Sequence, residues 1–534
     1  MWPDDNKSTI INPKLNTIHY VNQKNSIGKF DYKIFSKGNE DKLVTDITKD
    51  IKGISYKHIE NQYVDFDRER LVYQMLSTSG PAVTVADFNG DKRDDIFFGG
   101  AKDQEAELYF QTGNGFFQKS KTKTFYADKG CEDVKSITFD ANGDGNLDLY
   151  VASGGNEHSG ESIDLKDRIY LNDGKGNFTK DVNYNATYSS NLAICAFDIE
   201  NDGDEDLFVG ERVTMFNYGV PCSGRILRND NGKFKDITKD VAPELLNLGM
   251  ITDAVWTDIN SDKEVDLVIV GEYMPVSIFL NENGKFRNKT NEWGLSKSNG
   301  WYNIVKAEDI NSDGKPDLIL GNHGKNTRFK GDISHPICMH VNDFDKNGST
   351  EQIICIFEGD KSYPVVLKHD LIKQLPFLKK KYLKYSSYQN QTIEDIFNED
   401  QRKNMITLYA YELQSFVLIN KGNIFEKHFL PKEAQFSPIF DFLIIDVNGD
   451  NIKDLVSGGN LYSVKPEIGR YDADSGLIML GNGKGNFKAL SSEESGFLCI
   501  GEVRDIVKIK VHNNEKMLVV KNNDKVSLFE IKIN

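Results

Sequence analysis

Seven nine-residue segments of the chain place acidic, amide or other oxygen-bearing side chains at positions 1, 3, 5 and 9. Side-chain oxygens at alternate positions of a tight loop, with a main-chain carbonyl oxygen at position 7, form the oxygen-rich ligand set that Ca²⁺ prefers. We therefore predict up to seven calcium sites. The segments are DFNGDKRDD (87–95), DANGDGNLD (140–148), DIENDGDED (198–206), DINSDKEVD (258–266), DINSDGKPD (309–317), DFDKNGSTE (343–351) and DVNGDNIKD (446–454).

The predicted ligands are the side chains at positions 1, 3, 5 and 9 and the carbonyl oxygen at position 7 of each copy. In chain order they are Asp87, Asn89, Asp91, Arg93 and Asp95; Asp140, Asn142, Asp144, Asn146 and Asp148; Asp198, Glu200, Asp202, Asp204 and Asp206; Asp258, Asn260, Asp262, Glu264 and Asp266; Asp309, Asn311, Asp313, Lys315 and Asp317; Asp343, Asp345, Asn347, Ser349 and Glu351; and Asp446, Asn448, Asp450, Ile452 and Asp454.

An alternative explanation of the loops is that Asp, Asn and Gly form good turns without any metal. It applies most to the fourth copy, which lacks glycine at positions 4 and 6, and to the sixth, which has Glu351 at position 9. In the second copy Gly145 occupies position 6, where a sharp turn requires a residue that tolerates positive φ. Both explanations stay open for the fourth and sixth copies.

The residues around each loop indicate β-strands rather than helices. The second copy follows SITF and precedes LDLYVAS, which alternate or run apolar as strands do. An EF-hand would need a helix on either side and a bidentate glutamate at position 12, where this copy has Val151. Each loop is therefore predicted to join two strands of a sheet.

The acidity of the chain is concentrated in these loops. They hold 26 Asp and Glu against 6 Lys and Arg, a net charge of -20, whereas the whole chain has a net charge of -16. So many carboxylates in short turns repel one another unless a cation lies among them. The charge distribution therefore favours bound divalent ions independently of the motif.

Loop spacing predicts an all-β fold, a β-propeller with eight blades, or with seven as the alternative. Successive loops start 53, 58, 60, 51, 34 and 103 residues apart, and a unit of about 50–60 residues holds the four strands of one blade. The short and long spacings indicate a truncated fifth unit and an enlarged sixth, with a helical insertion at about 362–404. An eighth unit, 503–531, has strands without an acidic loop.

A propeller ring usually closes with a strand from elsewhere in the chain, so that no sheet edge is left open. The segment LVTDITKDI (43–51) resembles KFKDITKDV (233–241), which ends the third unit, and is predicted to be the outer strand of the last blade. In the insertion, Leu371, Leu375, Leu378 and Leu383 are predicted to face the body of the protein.

The Asp-x-Asn-Gly-Asp-Gly loops, followed by Leu-Asp-Leu and a strand ending in glycine, resemble FG-GAP/VCBS repeats, the units of integrin-type calcium propellers. Further stretches resemble the C-terminal half of the ASPIC/UnbV-associated VCBS proteins of Gram-negative bacteria. They include KHIENQYVDFDRE (57–69), GMITDAVWTDI (249–259), VGEYMPVSIF (270–279), KQLPFLKKKYLKY (373–385) and GRYDADSGLIMLGNGKGNF (469–487). The resemblance implies two parts: a remnant of an ASPIC/UnbV module at 1–26, and a propeller at 27–534.

The resemblance also implies an exported protein at the cell surface or outer membrane, although the sequence has no signal peptide or membrane span. In such proteins the export signal lies at the start of a longer parent chain. Millimolar calcium outside the cytosol suits loops that lack a bidentate glutamate.

Other polar features leave alternatives open. One polar run either fixes the chain onto the propeller or binds a ligand; its residues are His58, Glu60, Asn61, Asp65, Arg68 and Glu69. The loop Gly469–Asp472 either forms part of a binding surface or has a structural role. The six cysteines have no zinc or redox spacing, and buried free thiols are expected. Cys338 and Cys355 flank the sixth loop symmetrically, so a disulfide between them is an alternative.

We find no motif of a protease, phosphate-binding loop or nucleophile elbow, so no catalytic residue is assigned. An acidic chain of pI 5.2 without an aromatic and basic stripe is a poor nucleic-acid binder. The sequence therefore favours a non-catalytic calcium-binding propeller that binds an envelope protein or glycan. By analogy it serves outer-membrane machinery of the SusC/SusD kind. The alternative is a polysaccharide-active enzyme with a site at the central channel.

Overall fold

The computed structural model describes residues 6–29, 42–512 and 514–532. Residues 1–5 of the predicted N-terminal remnant lie outside the described residues. Its described part, together with the residues that follow up to Lys29, contains a 3₁₀-helix, Gln23–Asn25, and an isolated bridge between Asn6 and Lys29. Among the described residues no helix is both long enough and apolar enough to cross a membrane.

The described residues form eight antiparallel sheets, and the prediction of an all-β fold is confirmed. In hydrogen-bonded order their strands are, for sheet 1, Val83–Ala86, Asp95–Phe98, Glu107–Gln111 and Phe117–Lys119; for sheet 2, Asp133–Phe139, Asp148–Ser153, Arg168–Asn172 and Phe178–Lys180; for sheet 3, Ser190–Phe197, Asp206–Val213, Gly224–Asn229 and Phe234–Asp236; and for sheet 4, Met250–Thr257, Asp266–Met274, Ser277–Asn281 and Phe286–Asn288, with Gly300–Trp301 beside the second strand.

The remaining four sheets include the two that draw strands from distant parts of the chain. Their strands are, for sheet 5, Ile304–Glu308, Asp317–Gly321, Phe416–Asn420 and Phe425–Phe429; for sheet 6, Lys361–Pro364, Glu351–Glu358, Ile337–Asn342 and Ile406–Ala410; for sheet 7, Ile439–Ile445, Asp454–Gly459, Leu477–Gly481 and Phe487–Leu490; and for sheet 8, Glu502–Val511, Asn514–Asn522, Ser527–Ile531 and Val44–Asp46.

The described helices are short. Besides Gln23–Asn25, the 3₁₀-helices are Thr48–Asp50, Asp65–Asp67, Thr124–Asp128, Ile163–Leu165, Pro243–Leu245, Pro376–Lys380 and Lys432–Gln435. The α-helices are Thr238–Val241, Lys368–Gln374, Tyr385–Tyr388, Ile393–Ile396 and Ser492–Ser495.

Sheets 1, 2, 3, 4, 5, 7 and 8 are arranged as in a β-propeller. Their first strands contact one another in this order, and the first strand of sheet 8 contacts that of sheet 1. Each neighbouring pair shares its own buried apolar cluster; Phe97 of sheet 1, for example, packs with Leu149 and Tyr170 of sheet 2. Similar clusters lie at the other six junctions. Fully burying each large apolar side chain contributes about 1.5–3 kcal/mol, so these junctions hold the sheets together.

Sheet 6 lies outside this cycle because it is inserted between the second and third strands of sheet 5. Leu318 of sheet 5 pairs with Leu418, about one hundred residues later, and the strands of sheet 6 fall between them. One face of sheet 6, with Met339 and Ile354, packs on Tyr73 and Trp301 of the ring side. The segment FVLINKGNIF (416–425), which follows the acidic loop of the sixth unit in the chain, therefore belongs to sheet 5.

The predicted helical insertion corresponds to four short helices between Lys368 and Ile396. Leu371, Leu375 and Leu378 pack on the other face of sheet 6, beside Cys355. Leu383 does not, since its side chain is 78% exposed, and its predicted burial is wrong. It follows Tyr382, which takes the buried position in this turn.

The closing strand predicted within 43–51 is confirmed. Val44–Asp46 pairs antiparallel with Ser527–Ile531 as the outer strand of sheet 8, with Val44 opposite Ile531. Val44 is fully buried in the cluster between sheets 7 and 8. The pairing thus covers the edge that the last sheet would otherwise leave open.

Candidate metal centres

Each acidic loop joins two paired strands, as the sequence predicted. In all seven copies the residue before position 1 pairs with position 9, for example Phe139 with Asp148 and Asn342 with Glu351. The other five pairs are Ala86–Asp95, Phe197–Asp206, Thr257–Asp266, Glu308–Asp317 and Ile445–Asp454. The loops are thus equivalent hairpin turns.

Hydrogen bonds wrap each loop around the carboxylate at position 1. In the second copy Asp140 accepts from the backbone N–H groups of Gly143 (2.8 Å), Asp144 (3.1 Å) and Gly145 (2.7 Å). Asn142 and Asp144 each accept from the N–H group two residues later. This arrangement gathers the oxygens of positions 1, 3 and 5 around one short turn.

Position 6 has a left-handed conformation in all seven loops, and its N–H group always donates to position 1. The φ angle is 83° at Gly145 and 77° at Lys263 of the fourth copy, which has no glycine. The Lys263 N–H group lies 2.9 Å from Asp258 Oδ2. The fourth copy therefore adopts the common conformation, with a lysine in a region that costs L-residues roughly 1–2 kcal/mol.

The side chain at position 9 has a role that the sequence did not reveal. Asp148 is fully buried, and it accepts from Ala141 N–H at position 2 (3.0 Å) and from Asn172 N–H on the third strand (2.7 Å). Asp95, Asp206, Asp266, Asp317 and Asp454 make the same two kinds of contact. In these six loops position 9 therefore ties the loop to the third strand.

Asparagine residues at the ends of third strands connect neighbouring loops. Asn172 donates from Nδ2 to the carbonyl of Phe88 (2.9 Å), at position 2 of the preceding loop. Asn229 and Asn420 make the same contact with Ala141 and Ile259. The recurring Asn before the Gly-rich turn of the third strand was the sequence signal for this contact.

Burial raises the pKa of the carboxyl groups at position 9. The pKa of Asp148 rises to about 6, and those of Asp95, Asp266 and Glu351 to about 7, because desolvation outweighs the hydrogen bonds from backbone N–H groups. Neighbouring loop carboxylates raise them further. A cation among these carboxylates would favour their ionised form.

The sixth loop brings three acidic side chains together. Oxygens of Asp343, Asp345 and Glu351 lie within 4.8 Å of one another, the one loop of the described residues in which three acidic side chains converge this closely. Glu351 Oε2 accepts from Phe344 N–H (3.1 Å), whereas Glu351 Oε1 and Asp345 Oδ1 are buried without a hydrogen-bond partner among the described residues. This oxygen-only donor set, with two unused acceptors, fits a hard cation such as Ca²⁺.

The cysteine pair lies beside this loop. Cys338 and Cys355 are directly opposite in sheet 6, but they and the other four cysteines are free thiols. Burial raises the pKa of Cys355 above its usual range, whereas a hydrogen bond with Cys355 lowers the pKa of Cys338 to about 5. The predicted free thiols are thus found.

Most of the polar run at 58–69 is held by contacts with the ring. Asn61 donates to Glu157 (2.9 and 2.8 Å), Ser77 donates to Asp65 (2.5 Å), and Asn156 donates to Glu69. The Arg68 guanidinium lies 3.2 Å from the centre of the Phe216 ring. These contacts favour the interpretation that the run fixes the chain onto the propeller.

A cavity of about 680 Å³ lies between sheet 6 and the segments that follow the second and precede the third strand of sheet 5. Its lining includes the aromatic rings of Phe357 and Tyr411 and the charged groups of Lys330 and Asp332. The predicted loop Gly469–Asp472 reaches the same region, since the Tyr471 hydroxyl lies 2.8 Å from that of Thr327.

The central channel is occupied by charged side chains. Lys306 lies 2.9 Å from Asp441, and Lys135, Asp253 and Asp505 interact electrostatically with this pair. The cavity at this end of the channel measures about 60 Å³. Sites for drug-sized ligands usually measure about 300–1,000 Å³.

A family model described as FG-GAP-like repeat matches residues 87–151, 140–209 and 258–320 of the chain. These ranges contain the first five acidic loops and extend from sheet 1 into sheet 5. They do not include residues 1–26, so the resemblance to an ASPIC/UnbV module stays a hypothesis. No curated protein sequence matches the chain.

The comparison with solved structures finds similar chains with very different sequences. A crystal structure of BBS1N in complex with ARL6DN, soaked with lead, has 9% identity and a TM-score of 0.40, covering 90% of this chain and 98% of that chain. The V. cholerae biofilm matrix protein Bap1 has 10% identity and a TM-score of 0.35, covering 92% and 91%.

Proposed function

Because the chain is a repeat protein of the FG-GAP/VCBS type, we propose that it is a non-catalytic, calcium-binding β-propeller of the bacterial cell envelope. In this proposal the acidic loops bind calcium, and a surface at sheet 6 binds a protein or a glycan. The two parts of the proposal have separate support and separate tests.

The sixth loop carries the calcium proposal. Its buried oxygens, Asp345 Oδ1 and Glu351 Oε1, have no hydrogen-bond partner among the described residues, although Asp343 lies beside them. An unpaired buried polar group costs about 1–3 kcal/mol. A bound cation would remove this cost and the repulsion between the carboxylates. The other six loops have the same wrapped conformation and carry side-chain oxygens at positions 1, 3 and 5, so up to seven ions are proposed.

We further propose that the ring has seven blades rather than the eight favoured from sequence. The contacts among first strands form a cycle of seven sheets, and sheet 6 lies outside it. Sheet 6 is then an addition to the fifth blade that covers one face of the ring.

The cavity beside sheet 6 supports the binding part of the proposal. Its volume of about 680 Å³ lies within the usual range for ligand sites. Aromatic rings such as Phe357 and Tyr411 suit the apolar faces of sugars or peptide side chains, and Lys330 and Asp332 offer polar contacts. A partner in the envelope, including a complex of the SusC/SusD kind, would be consistent with this surface.

A polysaccharide-active enzyme with a site in the central channel is the alternative, and the small channel cavity gives it no support. A glycan array beside a hydrolysis assay separates the two functions. Binding without turnover, weakened by Tyr411→Ala but not by Tyr126→Ala in the 3₁₀-helix between sheets 1 and 2, supports the proposal. Product formation would overturn it. Affinity purification from envelope membranes tests the proposed location and partner.

Calcium binding is tested by titration of the metal-stripped protein. We expect Ca²⁺ to bind and to raise the melting temperature, and EGTA to reverse both effects. A melting temperature that changes with neither Ca²⁺ nor EGTA would contradict the proposal.

A further inference from the structure

A second kind of polar cluster lies where the ring closes. His58 and Glu60 precede sheet 1, whereas Glu132 directly precedes the first strand of sheet 2. The His58 N–H group donates to the carbonyl of Asp524 (3.0 Å), next to sheet 8. One side-chain nitrogen or oxygen of each of the three residues lies within 4.8 Å of the others. The cluster thus connects the first, second and last sheets.

The three facing atoms have no hydrogen-bond partner among the described residues. They are His58 Nε2, Glu60 Oε1 and Glu132 Oε1, and all three are buried. His58 and Glu132 are each 0% exposed as whole residues. Buried polar atoms are nearly always paired, and two neighbouring carboxylates repel each other. Three such atoms in one compact cluster therefore indicate a shared partner.

The other polar atoms hold two of these side chains in place. Glu132 Oε2 accepts from the Lys102 N–H group (2.7 Å). His58 Nδ1 lies 2.9 Å from Asn522 Oδ1, and the Asn523 N–H group, 3.1 Å away, donates to His58 Nδ1 in the tautomer whose Nδ1 carries no proton. In the tautomer that donates from Nδ1 to Asn522 Oδ1, Nε2 has a free lone pair. Metal-binding histidines usually donate their second N–H group to an oxygen in this way.

Nearby cations are engaged with other carboxylates. Arg504 lies 3.1 Å from Glu502, and Lys102 Nζ lies 3.4 Å from Asp103 and 3.7 Å from Glu157. Neither side chain forms an ion pair with the three facing atoms among the described residues. The charge of the two carboxylates is thus not balanced by a direct contact with a basic side chain.

Gly80 leaves space beside the cluster. A Cβ atom at this position would lie 3.3 Å from both Glu132 Oε1 and His58 Nε2, and 3.0 Å from the carbonyl of Asp133. The φ angle of Gly80 is not in the left-handed region, so the backbone conformation does not require glycine here. The small residue instead keeps open the space that the facing atoms border.

We propose that His58, Glu60 and Glu132 bind one divalent transition-metal ion, of the class of Zn²⁺ or Mn²⁺. An imidazole nitrogen with two carboxylates suits such ions, whereas the acidic loops offer oxygen alone, which suits Ca²⁺. The ion would join the segment before sheet 1 to sheets 2 and 8 and so stabilise the closed ring. This site does not depend on the proposed calcium loops.

The test measures Zn²⁺ and Mn²⁺ binding to the full metal-stripped chain in saturating Ca²⁺, which fills any calcium loops. We expect one equivalent of either ion to bind by calorimetry and to raise the melting temperature. Glu132→Gln and His58→Gln should weaken binding more than about tenfold, the smallest loss seen when even a supporting group of a metal site is removed. Gly80→Ala, which keeps all three ligands, should also weaken it.

The cysteine cluster provides the matched control. Cys338, His340 and Cys355 also lie within 4.8 Å of one another, so Cys338→Ser must leave the binding unchanged. Co²⁺ should give no intense sulfur-to-metal absorption at the proposed site. The proposal is overturned if neither Zn²⁺ nor Mn²⁺ binds to the wild-type chain. Binding lost in Cys338→Ser but retained in Glu132→Gln would also overturn it.

Discussion

The acidic loops of the ring sheets and the loop of sheet 6 use position 9 differently. In the ring loops a buried aspartate such as Asp148 accepts from two backbone N–H groups, one of them on the third strand. In sheet 6, Glu351 Oε2 accepts from the Phe344 N–H group, and Glu351 Oε1 is unpaired among the described residues. The same sequence position can therefore stabilise the sheet itself or offer an oxygen to a cation.

The largest expected effect comes from removing the carboxylate of a ring loop. Asp148→Ala leaves the N–H groups of Ala141 and Asn172 without acceptors, and each costs about 1–3 kcal/mol. We therefore expect the free energy of unfolding to fall by about 2–6 kcal/mol in EGTA, measured by chemical denaturation. Glu351→Ala should lower the free energy of unfolding by less than Asp148→Ala under the same conditions. Equal losses for the two variants would show that the loops do not differ.

The next effect separates calcium binding from loop architecture in sheet 6. A site with a dissociation constant of about 0.1–1 mM gains roughly 1.4–2.7 kcal/mol in 10 mM Ca²⁺. We expect Glu351→Gln to lack a calcium-dependent stabilisation of this size, while its free energy of unfolding in EGTA stays close to that of the wild type. Thermal denaturation with Ca²⁺, with Mg²⁺ as the control ion, measures it. A calcium response that Glu351→Gln leaves intact would exclude this loop as a site.

A pH dependence tests the ring loops. Burial raises the pKa of Asp95, Asp206 and Asp266 to about 7, above the ordinary value that the unfolded chain retains. Between about pH 4 and 7 these carboxyl groups thus bind more protons in the metal-free folded protein than in the unfolded chain, so their contribution to stability falls as pH rises. Because calcium binds ionised carboxylates, its stabilising effect should be larger at pH 7.5 than at pH 5. An equal calcium-induced rise in melting temperature at pH 5 and pH 7.5 would contradict this expectation.

The smallest effect concerns the turn at position 6. Lys263→Gly removes an L-residue from a left-handed conformation and so relieves backbone strain. The greater conformational entropy of glycine in the unfolded chain partly offsets this stabilisation. We expect stabilisation by about 0.5 kcal/mol, and destabilisation by about 1 kcal/mol for the reverse change Gly145→Ala. Differential scanning calorimetry of both variants measures the pair. Changes of the same sign would show that the two loops adopt different turns.

Local parts of the fold were predictable from sequence because their causes are local. Each acidic loop, such as 140–148, contains its own turn residues and is flanked by apolar strands, so its hairpin could be placed to the residue. The closing strand was found because 43–51 repeats the sequence of another outer strand.

The insertion of sheet 6 was not predictable in the same way. Its acidic loop looks like that of any blade, and the pairing of Leu318 with Leu418 spans a segment that carries its own strands. Spacing alone does not distinguish a truncated unit from an interrupted one. The candidate site at ring closure was missed for a related reason, since Glu132 is distant in sequence from His58 and Glu60.

The pairing of Val44–Asp46 with Ser527–Ile531 makes closure of the ring depend on two segments that lie far apart in the chain. Until the later segment emerges from the ribosome, the earlier one has no partner strand. A chain that begins at Leu43 would retain the closing strand Val44–Asp46. A chain that lacks all residues up to Asp50 should instead bind a synthetic peptide of residues 42–52 in place of the missing strand. If the peptide binds in this way, a label attached to it would mark the assembled protein at the edge of sheet 8.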